Sequence, residues 1–238
     1  WLEGVRVSRW IGLPGDERIV FSENGEWIFP AGTVFVQHFE MKLGEGPVDS
    51  GNDSSRMVAS GKEVVPGALG VPPSDGPGPT DRLKPGYPTA AAKFAAKRLE
   101  TRIIVVGLDR CHHGAAYRWR EDGSDAELVA DGEVATFNFP TAKGTRKRNW
   151  YFPGLDECLT FHTAALGFVL ELNTRQLNRP FRYSQTGVTD NQLRTWNHLE
   201  MFWPPIEETF IPYLPRLAHI NDTTATLEHR ARSYLDSN

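Results

Sequence analysis

The sequence has little cysteine, no long hydrophobic run and no excess of positive charge. Its 238 residues include two cysteines, Cys111 and Cys158, too few for a disulfide framework or a four-thiolate zinc site. The most apolar stretch, residues 163–172, is interrupted by Gly167 and Glu171. It falls short of the ~18 residues that a membrane span needs. The 26 basic and 30 acidic residues give a net charge of −4, which excludes nucleic-acid binding through bulk positive charge.

The composition is that of a folded, globular chain. Hydrophobic residues make up 39% and charged residues 24%, which is neither disordered nor membrane-like. The length of 238 residues fits one large domain or two small ones. The chain begins at Trp1, with neither a methionine nor a signal peptide, so we expect a processed or excised piece of a longer protein.

Residues 1–150 are predicted to form an antiparallel β-sandwich-like domain. Short runs of β-branched and aromatic residues alternate with turn residues, and the clearest run is residues 33–41. Asn24 and Gly25 form the dipeptide that tight hairpin turns favour. In residues 43–90, 17 of 48 residues are Gly or Pro, which disfavours both helix and strand. We therefore predict an insertion between two strands at residues 43–90.

Residues 151–238 are predicted to form a small helical domain. Apolar residues recur at helical spacing in three segments. These are residues 155–172, 190–202 and 223–235. Asp190 is the predicted N-cap of the second helix, and Glu228 and Arg232 are spaced for an ion pair on the third. One further short helix is predicted for residues 90–99.

The most specific chemistry lies at Cys158 and His162. In the Cys-x-x-Cys-His motif of c-type haem sites, two thiols bond to haem vinyl groups and the histidine ligates iron. Cys158 and His162 have this spacing, and Phe161 stands in place of the second cysteine. Taken alone, Cys-x-x-x-His is a weak pattern, because so short a motif occurs by chance.

An ordered series of segments gives this motif its context. Around it lie residues 150–153, 163–165, 176–179 and 191–193. In the β part, the matching segments are residues 1–4, 9–14, 29–40, 99–102, 117–119 and 125–129. The succession resembles the cytochrome-like C-terminal region of bacterial PQQ-dependent sugar (glucose/sorbosone) dehydrogenases and of related dihaem c-type cytochromes. The resemblance covers nearly the whole chain except the insertion at residues 43–90.

The resemblance implies a cytochrome-c-like helical domain and an exported, periplasmic electron-transfer module. Such a module serves a partner dehydrogenase and is not itself catalytic. Haem c would be attached through Cys158, with His162 as an iron ligand. Met201, 39 residues after His162, would be the second ligand. Because Phe161 replaces the second cysteine, the site fits either a single-thioether haem or a degenerate site that has lost its haem.

The family also implies that this chain is cut from a longer protein. Its members commonly have a further Cys-x-x-Cys-His after a helix like residues 227–235, and this chain ends at Asn238, where that motif would begin.

Two alternatives for the cysteines and histidines stay open. Cys111 and Cys158 can instead form a disulfide that joins the two predicted domains, and Cys158 is then not available to haem. His38 and His112, with a residue of the helical part, can form a metal site. Against this, adjacent residues on a strand point to opposite faces, so His112 and His113 are poorly placed to share one ion.

A third alternative is a haem-free interaction or structural subunit of a larger assembly, with residues 43–90 as a contact arm. No nucleophile elbow, phosphate loop or dinucleotide fingerprint is present, so no independent catalytic centre is expected. The carboxylates near Gly123 are predicted to be a solvated turn. The basic run at residues 143–148 is predicted to be a hairpin tip, with docking to an acidic redox partner as its functional alternative.

Overall fold

The chain forms a β-rich fold of mainly antiparallel sheets with a few short helices, which confirms that part of the prediction. The computed structural model describes residues 4–42, 56–60, 96–108, 112–141, 144–161, 169, 172–183 and 186–236. The strands are β1 (Val5–Gly12), β2 (Ile19–Val20), β3 (Val34–Lys42), β4 (Arg56–Ser60), β5 (Ala96–Val106), β6 (His112–Trp119), β7 (Ala126–Leu128), β8 (Glu133–Thr141), β9 (Gly144–Phe152), β10 (Pro180–Arg182), β11 (Thr189–Asn191) and β12 (Phe202–Trp203). The helices are α1 (Leu155–Phe161), α2 (Thr174–Leu177), α3 (Gln192–His198), a 3₁₀ helix (Glu208–Tyr213) and α4 (Leu227–Asp236).

Six strands form the main sheet, in the order β4-β1-β3-β5-β6-β7. Its pairs are antiparallel except for β1 and β4, which run parallel. Val7, Phe39 and Glu100 are directly opposite one another on β1, β3 and β5. Because opposite residues share a face, these three side chains lie on the same side of the sheet.

A hairpin of β8 and β9 contributes to the first hydrophobic core. Phe139, Trp150 and Phe152 of the hairpin pack with residues from β1, β3, β5 and β6. The buried members of this sheet–hairpin cluster are Val5, Val7, Phe39, Met41, Leu99, Ala116, Val129, Phe139, Trp150 and Phe152. The hairpin thus covers part of one face of the main sheet.

A second core, the composite cluster, joins the N-terminal and C-terminal parts of the chain. Its buried members are Ile11, Ile19, Trp27, Phe29, Val106, Leu172, Leu177, Leu193, Trp196, Met201, Phe202, Ile206, Ile211 and Leu214. Strand β12 pairs in parallel with β2, so the two parts also share a backbone ladder. The composite cluster contains residues from before and after residue 150, where a domain boundary is predicted. The boundary stays a prediction.

Several predicted elements need correction. The predicted helix at residues 90–99 is wrong for residues 96–99, which begin β5, because pairing with β3 overrides the helix propensity of Ala96 and Lys97; residues 90–95 lie outside the described residues. Within the predicted insertion, Arg56–Ser60 form β4, a segment that contains neither Gly nor Pro. The rest of residues 43–90 lies outside the described residues.

The predicted C-terminal helices are shorter than expected. The first begins at Leu155 as predicted, and its described part ends at Phe161. The second begins two residues late, because Thr189–Asn191 pair with Pro180–Arg182 before the helix starts. The third begins at Leu227 instead of residue 223, and its 10 residues make it the longest of the described helices. Among the described residues, no helix is long and apolar enough to cross a membrane.

Candidate cofactor-attachment site at Cys158

Cys158 lies in α1, whose start is held by the chain around Gly154. The backbone N–H of Leu155 donates to the carbonyl of Ala130 at 3.1 Å, and that of Gly154 donates to the Glu157 carboxylate at 2.8 Å. The hydroxyl of Tyr151 also donates to Glu157. The orientation of α1, and with it that of Cys158, is thereby fixed against the end of β9.

The Cys158 side chain packs directly on β6 at Gly114. A Cβ atom at residue 114 would lie 2.5 Å from Cys158 Cβ and 3.3 Å from Sγ, so the helix approaches this closely only because residue 114 is glycine. Cys158 is half-buried and is a free thiol. Burial raises the pKa of the Cys158 thiol, with Arg102 acting in the opposite direction. The thiol is therefore held in its protonated form at neutral pH.

A buried ion pair lies in the electrostatic neighbourhood of this thiol. Glu100 is fully buried on β5, and its carboxylate accepts hydrogen bonds from Arg102 Nε at 2.6 Å and Nη2 at 3.1 Å. Trp150 Nε1 donates to the same carboxylate at 2.9 Å. A charged carboxylate is tolerated at such a position only when it is paired and hydrogen-bonded, as it is here. Its negative charge also contributes to the raised pKa of Cys158.

The sequence did not indicate this buried pair. Glu100 and Arg102 are two residues apart on a strand and therefore share a face, which is the one local signal available. This signal does not show that Glu100 is buried or that it bonds to Trp150, because Trp150 lies 50 residues further along the chain.

The other residues of the predicted haem site are placed differently. His162 and Cys111 lie outside the described residues, so iron ligation by His162 and the Cys111–Cys158 disulfide stay predictions. Met201 is in the composite cluster, with 8% of its surface exposed. Its N–H donates to the carbonyl of Trp196 at 3.1 Å, and its carbonyl accepts from the N–H of Ile19 at 2.8 Å. Met201 thus occupies the position of a packed core residue.

His38 and His112, the candidate metal ligands from the sequence, have different surroundings in the structure. His38 Nδ1 is 2.7 Å from Thr101 Oγ1, and its ring contacts Trp119 edge-on. His112 is buried and His113 is exposed, as expected for neighbours on a strand. Within the described part of the chain, no group of three His, Cys, Asp or Glu residues is arranged to hold a metal ion.

The charged clusters are at the surface. Asp122 accepts hydrogen bonds from the backbone and side chain of Ser124 in the turn at Gly123. In the basic run, Arg146 and Lys147 are exposed on β9.

A polar cleft of about 430 Å³ lies beside β10, β11 and the 3₁₀ helix. Asp190, Arg194 and Arg216 contribute charged groups to its lining. The guanidinium of Arg194 is shared between Asp190 at 2.7 Å and Glu208 at 2.9 Å, so its charge is compensated. Neither Cys158 nor Met201 lines this cleft.

No protein-family model, curated protein or solved structure matches this chain. The evidence that bears on function is therefore the local structure around Cys158.

Proposed function

We propose that the chain is an exported, non-catalytic electron-transfer module of c-type cytochrome type that serves a dehydrogenase. A single haem is attached through Cys158. The observation that carries the proposal is the free, half-buried thiol of Cys158 on a helix, four residues before His162. In the sequence pattern of a c-type site, the ligand histidine likewise stands four residues after the first attachment cysteine.

The donor set fits the group. Cys158 supplies a thiol that is not bonded to any other described residue, and His162 follows it by the four residues of the c-type motif. Haem, when bound, supplies one-electron transfer. Cys158 would hold the haem through a thioether bond to one of its vinyl groups. The raised pKa lowers the fraction of reactive thiolate at Cys158, so we expect attachment to depend on dedicated maturation machinery.

Met201 supports this function less directly. It lies among Trp27, Trp196 and Phe202, an apolar surrounding of the kind that raises a haem reduction potential. As the second iron ligand it would have to leave this packed cluster. His162 and Cys158 are therefore the stronger members of the proposed site.

The second candidate is a haem-free structural or interaction module, and the packing at Gly114 favours it. The side chain of Cys158 fills the space over Gly114 and packs against the backbone of β6. In this case Cys158 is a core cysteine, or the partner of Cys111 in a disulfide.

A haem measurement separates the two. The chain is exported to the periplasm of a host that expresses c-type maturation machinery, purified, denatured in alkaline pyridine, and its reduced spectrum is recorded. We expect covalent haem in the wild type and in Cys111→Ser, and none in Cys158→Ser. His162→Ala tests iron ligation in the native protein before denaturation, with altered visible absorption bands as the expected result.

Haem-free wild type in that host would contradict the proposal and leave the second candidate. A variant with the missing thiol restored, Phe161→Cys, is the positive control, since it recreates the intact motif. If Phe161→Cys acquires haem and the wild type does not, the site is a degenerate one.

A further inference from the structure

Three large apolar side chains are exposed together where β2 meets β12. Val20 is paired with Trp203 across the parallel ladder and with Ile28 across an antiparallel bridge. Directly opposite residues of a ladder share a face. Val20, Ile28 and Trp203 are 43%, 55% and 60% exposed, respectively. They therefore form one apolar patch, the Trp203 patch.

The backbone beneath the Trp203 patch is fixed. The alternate residues Ile19, Trp27 and Phe202 point inward and are at most 4% exposed. Val20 exchanges two backbone hydrogen bonds with Ile28, at 2.9 and 3.1 Å, and the N–H of Phe21 donates to the carbonyl of Trp203 at 2.9 Å. A patch held in this way loses little conformational freedom when it is covered, which favours binding.

The segments that carry the patch are strongly acidic. Residues 16–28 and 200–208 contain seven carboxylates and one cationic side chain, Arg18, which gives 1 − 7 = −6. Since the whole chain carries −4, all the remaining residues together carry +2. The seven exposed carboxylates are those of Asp16, Glu17, Glu23, Glu26, Glu200, Glu207 and Glu208. Two of the seven are paired: Glu200 with Arg18 and Glu208 with Arg194, each at 2.9 Å.

We propose that the Trp203 patch and its acidic rim are a docking surface for a basic partner protein. The matching face of that partner has an apolar centre surrounded by lysine or arginine side chains. Tryptophan is one of the three residue types, with tyrosine and arginine, that most often carry the binding energy at the centre of an interface. Charge complementarity at the rim speeds association and selects the partner. A second copy of this chain does not fit, because two rims of the same negative sign would face each other.

The proposal holds with or without haem at Cys158, and binding tests it directly. The probe is a small lysine-rich c-type cytochrome of net positive charge, titrated calorimetrically into the full chain at low and at physiological ionic strength. We expect binding at low ionic strength that weakens as salt is added. Trp203→Ala should weaken it about tenfold or more, and Ile28→Ala by a smaller factor. The double variant Glu23→Gln, Glu26→Gln should weaken binding severalfold and flatten its salt dependence.

Matched controls lie on the hairpin side of the molecule. Val134→Ala removes an equally exposed apolar side chain, and Asp131→Asn removes an exposed carboxylate; both should bind like the wild type. The same probe with its lysines acetylated should not bind. The proposal is overturned if the wild type does not bind the probe at low salt, or if the patch variants bind as tightly as the controls. It is also overturned if sedimentation shows a wild-type dimer that Trp203→Ala dissolves. Unchanged circular dichroism of each variant excludes a folding effect.

Discussion

The two hydrophobic clusters of this chain are built in different ways. The buried members of the sheet–hairpin cluster all lie between Val5 and Phe152, in the N-terminal part of the chain. The composite cluster joins residues as distant as Ile11 and Leu214, and its shared ladder pairs β2 with β12. The comparison shows that the C-terminal part completes the core of the N-terminal part and is not simply attached to it. The N-terminal β structure should therefore depend on the C-terminal residues.

The largest effect is expected when one phenylalanine is removed from either cluster. Phe202 and Phe152 are 1% and 0% exposed, and Phe→Ala in a core costs about 3–5 kcal/mol of unfolding free energy. Phe202→Ala should also speed hydrogen exchange at the Ile19 amide, which donates to Met201 across the composite cluster. Phe152→Ala is the matched control, with slower exchange at Ile19 than in Phe202→Ala. Equal protection of Ile19 in both variants would show that the composite cluster does not support β2 in particular.

A smaller effect is expected at the buried charge of the sheet–hairpin cluster. Glu100→Gln removes the charge that Arg102 and Trp150 both contact, and should cost about 1–3 kcal/mol in denaturant unfolding. Glu133→Gln breaks the exposed pair with Arg118 and should cost at most about 1 kcal/mol. If the two variants are equally stable, the buried pair does not contribute beyond an ordinary surface pair.

In the C-terminal part, helix α3 offers a test at a smaller scale. Asn191 Oδ1 accepts from the N–H groups of Leu193 and Arg194 and is therefore the N-cap. Asn191→Ala should cost about 0.5–2 kcal/mol. Asp190→Ala, one residue earlier, removes a partly exposed ion pair with Arg194 and should cost about 0.3–0.5 kcal/mol. A larger loss for Asp190→Ala, measured by urea unfolding, would contradict this assignment.

The smallest effect is a pH dependence of the free energy of unfolding, caused by Cys158. Because the pKa of Cys158 is raised in the folded state, there is a pH range in which the folded chain still holds the thiol proton and the unfolded chain has lost it. Stability should therefore fall as the pH rises above about 8.5, the ordinary pKa of a thiol. In a Cys111→Ser background, Cys158→Ser should remove this part of the pH dependence.

Glu100→Gln should shift the pH profile of Cys158 alkylation to lower pH, since it removes a neighbouring negative charge. An unchanged profile would mean that Glu100 does not act on the thiol.

Local patterns in the sequence were good guides where the structure is local. The content of β-branched and aromatic residues predicted residues 33–41 as a strand, and β3 is Val34–Lys42. The Glu228–Arg232 pair is confirmed at 2.8 Å, because both partners lie on one helix.

The patterns failed where distant segments compete with local preference. Residues 96–99 have helix-favouring composition and nevertheless begin β5, which pairs with β3 from Ala96 to Val105 with one register shift at Leu99. Asp190 lies within β11, and the N-cap is Asn191, the last residue of that strand. The burial of Glu100 depends on Trp150, 50 residues away, and no local pattern contains that contact.

The central claim concerns the bond that Cys158 makes, and tandem mass spectrometry of its peptide tests it most directly. The chain is purified without reductant from a host with c-type maturation machinery and digested after free thiols are alkylated. We predict that the Cys158 peptide carries the mass of one haem, while the Cys111 peptide carries the alkyl label. A Cys158 peptide that is alkylated, or that is joined to the Cys111 peptide by a disulfide, would contradict the claim.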